Sequence, residues 1–407
     1  MMNIISLAPT PPYKSGLSYY VLYLYSNFST SHKINIITNK NSLTLPCNNI
    51  TISKTFTPGI SALWSCLRRI RAQRRADILH LHVEYSFLGS WLNFLLLPIF
   101  LVILRLMLRN SKIIVTLHGV PNYWSILFYL KRKSRIPIVS GPIALIYTIF
   151  SFISIRLSCI ISDAVIVHTT LMKSALASFI PHSLLSKVHV IPHGSYEPPD
   201  WMKKSEINKN FIYILTIGYL RPSKGIKTLL KAAQEIINRT TNVKFVIVGT
   251  SIQKFIERGE KMTGGEVGGR IMIVNSLVKD NALDEIIRKA DIIVLPYEDM
   301  FLESSGALHR VVLFGKALIC SNIPRFRSHL INEVNALLFR PGDYRELAAH
   351  LFRLINDNLL RKRLSERLVD SFTHTRWKII AKRHEELFLA LLSNKYKIMT
   401  KRDELTP

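Results

Sequence analysis

The chain has 407 residues, 48% hydrophobic and 10% aromatic, with only 17 Gly and 18 Pro. This sets aside disordered, fibrous and small disulfide-stapled proteins and leaves room for two to three domains of about 150 residues each. Lys and Arg number 54 against 27 Asp and Glu, a net charge of +27, and residues 1–200 alone hold 19 basic and 5 acidic side chains. Such an excess predicts attraction to a polyanion: nucleic acid, an anionic membrane surface or phosphorylated substrates.

In chain order, Met2 to Leu7 is a short apolar run stopped by APTPPYKSG. Leu17 to Phe28 then resumes with helical spacing, giving strand, glycine-containing loop and helix. The N-terminus lacks a basic region and a small-residue cleavage site, so it is not read as a signal peptide, and the chain is expected to stay in the cytoplasm. Further apolar runs predict strands at Ile34 to Thr38, Asp77 to Val83, Lys112 to Leu117, Ala164 to His168 and Val188 to Ile191. Little polar alternation marks them as parallel strands buried on both faces. A Pro- and Gly-rich polar stretch follows Ile191, and the alternation restarts at Phe211 to Ile217, Val243 to Val248, Ile271 to Val274, Ile292 to Leu295 and Ala317 to Cys320. Two tandem Rossmann-like, doubly wound parallel-sheet α/β domains are expected, with ligands outside the carboxyl ends of the strands. The boundaries read as 1–195 for an N-terminal acceptor and membrane-facing domain, 196–210 for a linker, 211–372 for a second domain, and 373–407 for a C-terminal helix that packs back, with its tail.

Cys47, Cys66, Cys159 and Cys320 are scattered, without CxxC or zinc-like spacing, and read as reduced packing residues. Two segments, Phe87 to Leu108 and Ile136 to Ile161, approach membrane spans in length and apolarity. Each lies between predicted strands of one sheet, where spanning would tear the sheet apart. They are therefore expected to be crossover helices whose outer faces lie in a lipid interface. The basic clusters Arg68 to Arg75 and Lys131 to Arg135 flank them, as a peripheral surface on an anionic membrane requires.

Residues with chemistry fall after strands. Gly16 precedes a helix N-terminus, where backbone N–H groups and the dipole favour an anion. His118 follows the strand KIIVTL and stands at the sheet's carboxyl edge. Arg221 and Lys224 lie between a buried strand and a helix, with Gly225 at the turn, where two cations can neutralise a diphosphate. Glu303, Ser304, Ser305 and Gly306 stand just before a helix expected near Ala307. Small residues there let backbone N–H groups approach phosphate oxygens, and the carboxylate can accept from sugar hydroxyls; a plain N-cap is the competing explanation.

The ordered motifs PPYKSG, VTLHG, IPHG, IGYLRPSKGIKTLLKA, VKFVIVG, ADIIVLPY, ESSGALHRVVLFGKALICSNIP and NALLFRPGD resemble the family-four retaining glycosyltransferases (glycosyl transferases group 1), from about residue 3 to 370. The resemblance implies a GT-B fold, two domains facing a central cleft, and a nucleotide-sugar donor bound without a metal or other cofactor. It implies that His118 faces the transferred sugar and that Glu303 is the first acid of a paired-glutamate signature; these two are the expected catalytic residues. It implies donor binding by Gly16, Arg221, Lys224, Ser304, Ser305 and Gly306. The second acid does not match: its position falls on Arg310 or Val311, which puts nucleotide contacts in doubt.

The expected reaction is retaining transfer of a hexosyl group from a UDP- or GDP-sugar to a glycan or lipid-linked acceptor at the cytoplasmic membrane face. No DxD-like metal motif follows a strand, and no covalent sugar–enzyme intermediate is expected. The alternatives are a catalytically weakened or non-catalytic relative that acts as a binding protein, prompted by the missing acid, and a nucleic-acid binder, prompted by the charge. The last lacks any RNP, zinc-finger or OB signature.

Overall fold

The computed structural model describes residues 1–13, 16–42, 48–73, 75–84, 87–127, 140–200, 210–219, 221–250, 269–276 and 278–393. These divide into two compact units, the first made of residues 1–194, 301–304 and the stretch from 377, the second of 195–300 and 305–376. Of the predicted features, Ser15, Cys47, Arg74, most of the linker and the Lys131 to Arg135 cluster lie outside the described residues.

Unit 1 is built on a seven-stranded parallel sheet. Its strands are β1 (Asn3–Leu7), β2 (Lys33–Asn39), β3 (Ile50–Phe56), β4 (Ile78–Val83), β5 (Lys112–Leu117), β7 (Ala164–Val167) and β8 (Val188–Val190), while β6 (Gly119–Val120) stands apart from it. The order β3-β2-β1-β4-β5-β7-β8 reverses direction at β1, the doubly wound pattern expected from the apolar runs. The helices α1 (Gly16–Ser26), α2 (Ala62–Ala72), α3 (Trp91–Leu95), α4 (Leu97–Met107) and α5 (Ser140–Ile161) belong to this unit. Leu79, Leu81, Ile113, Val115, Val165 and Leu101 share its core.

Unit 2 carries β9 (Ile212–Tyr219), β10 (Val243–Thr250), β11 (Ile271–Val274), β12 (Ile292–Leu295), β14 (Ala317–Ser321) and β15 (Leu337–Phe339) in the parallel order β11-β10-β9-β12-β14-β15. Helix α6 (Ile226–Arg239) follows β9, and the short α7 (Gly306–Val311) precedes β14. Helix α6 buries Leu229, Ala233, Ile236 and Ile237, a stripe at helical spacing. The strand β13 (Leu302–Glu303) and the last helix α8 (Trp377–Leu392) return to unit 1, where α8 packs on α1.

Three departures from the sequence reading have local causes. The Phe87–Leu108 segment is not one helix: a 3-10 turn at Phe87–Gly89, α3 and α4 share it, and Pro98 sits in the first turn of α4, where its missing N–H costs nothing. β3 went unpredicted because Thr, Ser and Lys interrupt the apolar run of ITISKTF, an edge strand with Thr51 and Lys54 exposed. β15 is three residues long, too short to show a period. Cys66, Cys159 and Cys320 are free and buried, and burial pushes the Cys159 thiol up to about 12.

Candidate functional site

In unit 1 the carboxyl ends of neighbouring strands bring together histidines far apart in sequence. On β4, ILHLHV, the period of two puts Leu79 and Leu81 into the core and His80 and His82 on the opposite face. There they meet Tyr20 and Tyr25 of α1 and His384 and Phe388 of α8. The Tyr25 hydroxyl lies 2.8 Å from His80 Nδ1, and His80 Nε2 lies 2.7 Å from Thr116 Oγ1.

From the adjacent strands β4, β5 and β7 come His82, His118 and His168, which form a hydrogen-bonded chain. His82 Nδ1 is 3.1 Å from His118 Nε2, His118 Nδ1 is 3.0 Å from His168 Nε2, and His168 Nδ1 is 3.0 Å from the Ile191 carbonyl. Because a carbonyl only accepts, His168 Nδ1–H must donate. Burial lowers the pKa of His168 to about 4 and holds those of His82 and His118 well below the ordinary range, so all three rings are neutral near pH 7. Each neutral ring has one N–H, so the direction propagates: His118 Nδ1–H donates to His168, and His82 Nδ1–H donates to His118. The bare end of the chain is His82 Nε2, which is buried without a hydrogen-bond partner among the described residues. His118 thus stands at the strand end as expected, but both its ring nitrogens are engaged. Long-range ¹H–¹⁵N NMR should report protonated Nδ1 on His82, His118 and His168; a protonated Nε2 on His118 would break the deduced order.

His82 lines a small pocket with Pro9, Tyr13, Phe56, Glu84 and Leu88, at the carboxyl ends of β1, β3 and β4. Leu88 sits there with φ 51°, left-handed backbone that costs a non-glycine residue roughly 1–2 kcal/mol. Gly16 opens α1, and a Cβ built on it meets nothing within 4 Å, so packing does not dictate the glycine. Glu303 is not in a helix cap: it lies on β13, antiparallel to β6 and opposite Gly119, beside the loop that carries His118. Unit 1 therefore brings His118 and Glu303 together. Ser304 follows, its hydroxyl buried without a partner among the described residues.

In unit 2 the loop after β9 is a 3-10 turn over Pro222–Lys224, closed by Lys224 N–H to the Arg221 carbonyl at 2.9 Å. Glu298 N–H donates to the Ser223 carbonyl at 2.9 Å, and the Glu298 carboxylate accepts from Thr228 Oγ1 at 2.8 Å, which anchors the loop to the β12 end. Arg221 is exposed, with its guanidinium 4.7 Å above the Tyr219 ring, and Lys224 Nζ stands 3.5 Å from the centre of the buried Tyr297 ring. Both cations are thus steered by aromatic faces. Gly225 is required by the fold: φ is 66°, and a Cβ would sit 1.7 Å from the Pro296 carbonyl oxygen. Ser305 caps α7, its hydroxyl accepting from Leu308 N–H at 3.3 Å, so part of the plain capping explanation holds; the helix starts at Gly306.

The position expected for a second acid is filled differently. Arg310 is buried, paired with Asp284, 3.8 Å from Asp280 and 4.6 Å above the Tyr196 ring, while Val311 belongs to the core. A carboxylate in place of Arg310 would face two acids. Sequence reading missed His82, Glu84 and His168; the available signal was HLH in an otherwise aliphatic strand. Among the described residues no three of His, Cys, Asp or Glu are grouped to hold a metal ion.

Residues 198–368 match the glycosyl transferases group 1 family, a stretch that includes both the Arg221–Gly225 loop and Glu303–Gly306. An uncharacterized glycosyltransferase of Methanocaldococcus jannaschii is 24% identical over 193 residues; the chain spans about half the length of this curated relative, 48%, with 47% of its own. Among solved structures, sucrose-phosphate synthase from Thermosynechococcus elongatus superposes with a TM-score of 0.72 at 16% identity, covering 96% of this chain and 99% of that one. HepE of Anabaena, in complex with UDP-glucose, gives 0.69 at 12% identity over 96% and 100%. The chain thus has the GT-B fold of these structures, and residues 198–368 match the glycosyl transferases group 1.

Proposed function

We propose that the chain is a retaining hexosyltransferase that moves a sugar from a UDP- or GDP-sugar to a glycan or lipid-linked acceptor at the cytoplasmic face of a membrane. The observation that carries the reading is the anchored cationic loop of Arg221 and Lys224 at a parallel strand end, inside the stretch that matches the family. Glycosyl transfer needs a diphosphate to depart while positive charge grows on the anomeric carbon. The Arg221 fork and the Lys224 ammonium, held before substrate arrives, neutralise that departing charge without reorganising. This chemistry asks for no metal and no protein nucleophile. Retention follows if the leaving phosphate takes the acceptor hydroxyl's proton on the same face of the sugar. Gly16 leaves room for donor oxygens at the α1 N-terminus, and Ser304, Ser305 and Gly306 supply donors of the neutral kind. Glu303, beside the His118 loop, accepts from sugar hydroxyls. The pocket at His82 and Glu84 suits an acceptor hydroxyl, which can donate to the bare His82 Nε2.

A second reading, a binding protein without turnover, is favoured by one observation: Arg310, ion-paired with Asp284, and the core residue Val311 occupy the two positions where the family's second acid could fall. The test is a screen of UDP- and GDP-sugars against the purified chain, read first as stabilisation and then as turnover. A donor at a hundredfold excess over Kd should stabilise the fold by about 2.7 kcal/mol. Binding with turnover supports the transferase, and binding without turnover supports the second reading.

A further inference from the structure

Helix α5 is built inside out. Its buried face is mostly small and polar, with Ala144, Thr148, Ser151, Ser154 and Ser158 beside Ile155 and Cys159, whereas Ile143, Ile146, Phe150, Ile153, Leu157 and Ile160 point outward, each 42–55% exposed. A helix that faces water shows the reverse. Three of the inner hydroxyls are satisfied within the protein: Thr148 donates to the Ala144 carbonyl, Ser158 to the Ser154 carbonyl and Ser154 to the Phe94 carbonyl, at 2.6–2.7 Å. The apolar surface continues onto the neighbouring helices. Helix α4, packed against α5, exposes Ile99, Val102 and Leu106, and Trp91 of α3 meets Tyr147 of α5 edge to face at 5.4 Å. An exposed patch of this extent marks an interaction surface.

The charges around the patch identify its occupant. Arg105, in the last turn of α4, turns inward to Asp163 at 2.5 Å and to the Ser111 and Ile161 carbonyls, and Lys187 takes up the Ile160 and Ser162 carbonyls at the end of α5. The apolar stripe is thus cleared of charge except for Arg156. Beside it, α2 packs against α4 and exposes Arg68 and Arg71, with Arg75 exposed just beyond its end, in a stretch with 19 basic and 5 acidic residues over 1–200. A second copy of the same face would bring like charge to like charge, whereas an anionic lipid surface complements it. Among the described residues α5 is long and apolar enough to cross a bilayer. It is, however, the crossover between the parallel strands β5 and β7, so both its ends must return to one sheet.

We propose that the outward face of α5, together with α3 and α4, seats in the interface of an anionic bilayer with α5 lying in the membrane plane. This deepens the reading of a lipid-linked acceptor and rests on it for its purpose. Vesicle binding can be measured with no donor present, so its failure and the failure of transfer are distinguishable.

The experiment is co-sedimentation of the full chain with vesicles of phosphatidylcholine, with and without phosphatidylglycerol. Binding should rise with the anionic lipid and weaken, without vanishing, in high salt. Replacing Arg68, Arg71 and Arg75 with Gln should weaken binding to anionic vesicles about a hundredfold, at roughly 1 kcal/mol per basic residue. Ile146→Gln with Phe150→Gln and Ile153→Gln should abolish binding with circular dichroism and melting unchanged, since the three side chains are exposed. Three results would overturn the proposal: a triple variant that stays folded and binds as before, binding that resists both salt and alkaline carbonate as a span would, and a chain that ignores vesicles but forms a dimer that the triple variant dissociates.

Discussion

Lys224→Ala should lower turnover with a nucleotide sugar by about 10²–10³, the loss seen when one preorganised donor to a developing oxyanion is removed. The side chain stands at a loop anchored by Glu298 and Ser223, with its ammonium over Tyr297, and backbone bonds hold the loop's shape. Removing the side chain therefore leaves the turn intact, and melting should change little. Lys224→Arg should recover only part of the rate, because a planar fork cannot occupy the place of a compact ammonium on the Tyr297 ring. Steady-state kinetics on both variants make the check: wild-type turnover in Lys224→Ala would remove this loop from the site.

Acid should destabilise the chain steeply between pH 6.5 and pH 4. Burial lowers the pKa values of His168 and His384 from the ordinary 6.5 to about 4, and His80, His82 and His118 are displaced in the same direction. Below pH 6.5 the unfolded chain therefore binds protons that the folded chain refuses. The contribution is complete above pH 6.5 and declines as pH falls, by about 1.4 kcal/mol per pH unit per histidine. His168 and His384 would each forfeit about 3 kcal/mol by pH 4. Urea unfolding should give the same stability at pH 7 and pH 8, then a falling midpoint on acidification. A midpoint unchanged down to pH 5 would mean that these histidines are not held neutral.

The central parallel strands were legible because strands buried on both faces must be apolar throughout, and Lys112–Leu117 and Ile292–Leu295 begin and end where the apolar runs do. Two edge strands were not: Thr, Ser and Lys interrupt the apolar run of β3, and β15 has only three residues. The cationic loop at Arg221 and Lys224 was visible as two charges after a buried strand. Glu303 was seen as a residue before a helix, but its place opposite Gly119 is decided by pairing across a long sequence separation. The histidine chain is of the same kind. His82, His118 and His168 become neighbours only because β4, β5 and β7 are consecutive in the sheet, an order that no local pattern specifies. The inverted burial of α5 likewise needed the structure, because a run of apolar residues and serines does not say which face turns inward.

The central claim is that the chain transfers a sugar from a nucleotide-diphosphate donor with retention. The most direct measurement is ¹H NMR of the purified chain mixed with the UDP- or GDP-sugar that stabilises it and with lipid-linked or glycan acceptors. The account predicts release of the nucleoside diphosphate together with a glycoside whose anomeric configuration is that of the donor. A glycoside of inverted configuration, or a folded chain that no nucleotide sugar stabilises and that releases no diphosphate, would contradict it.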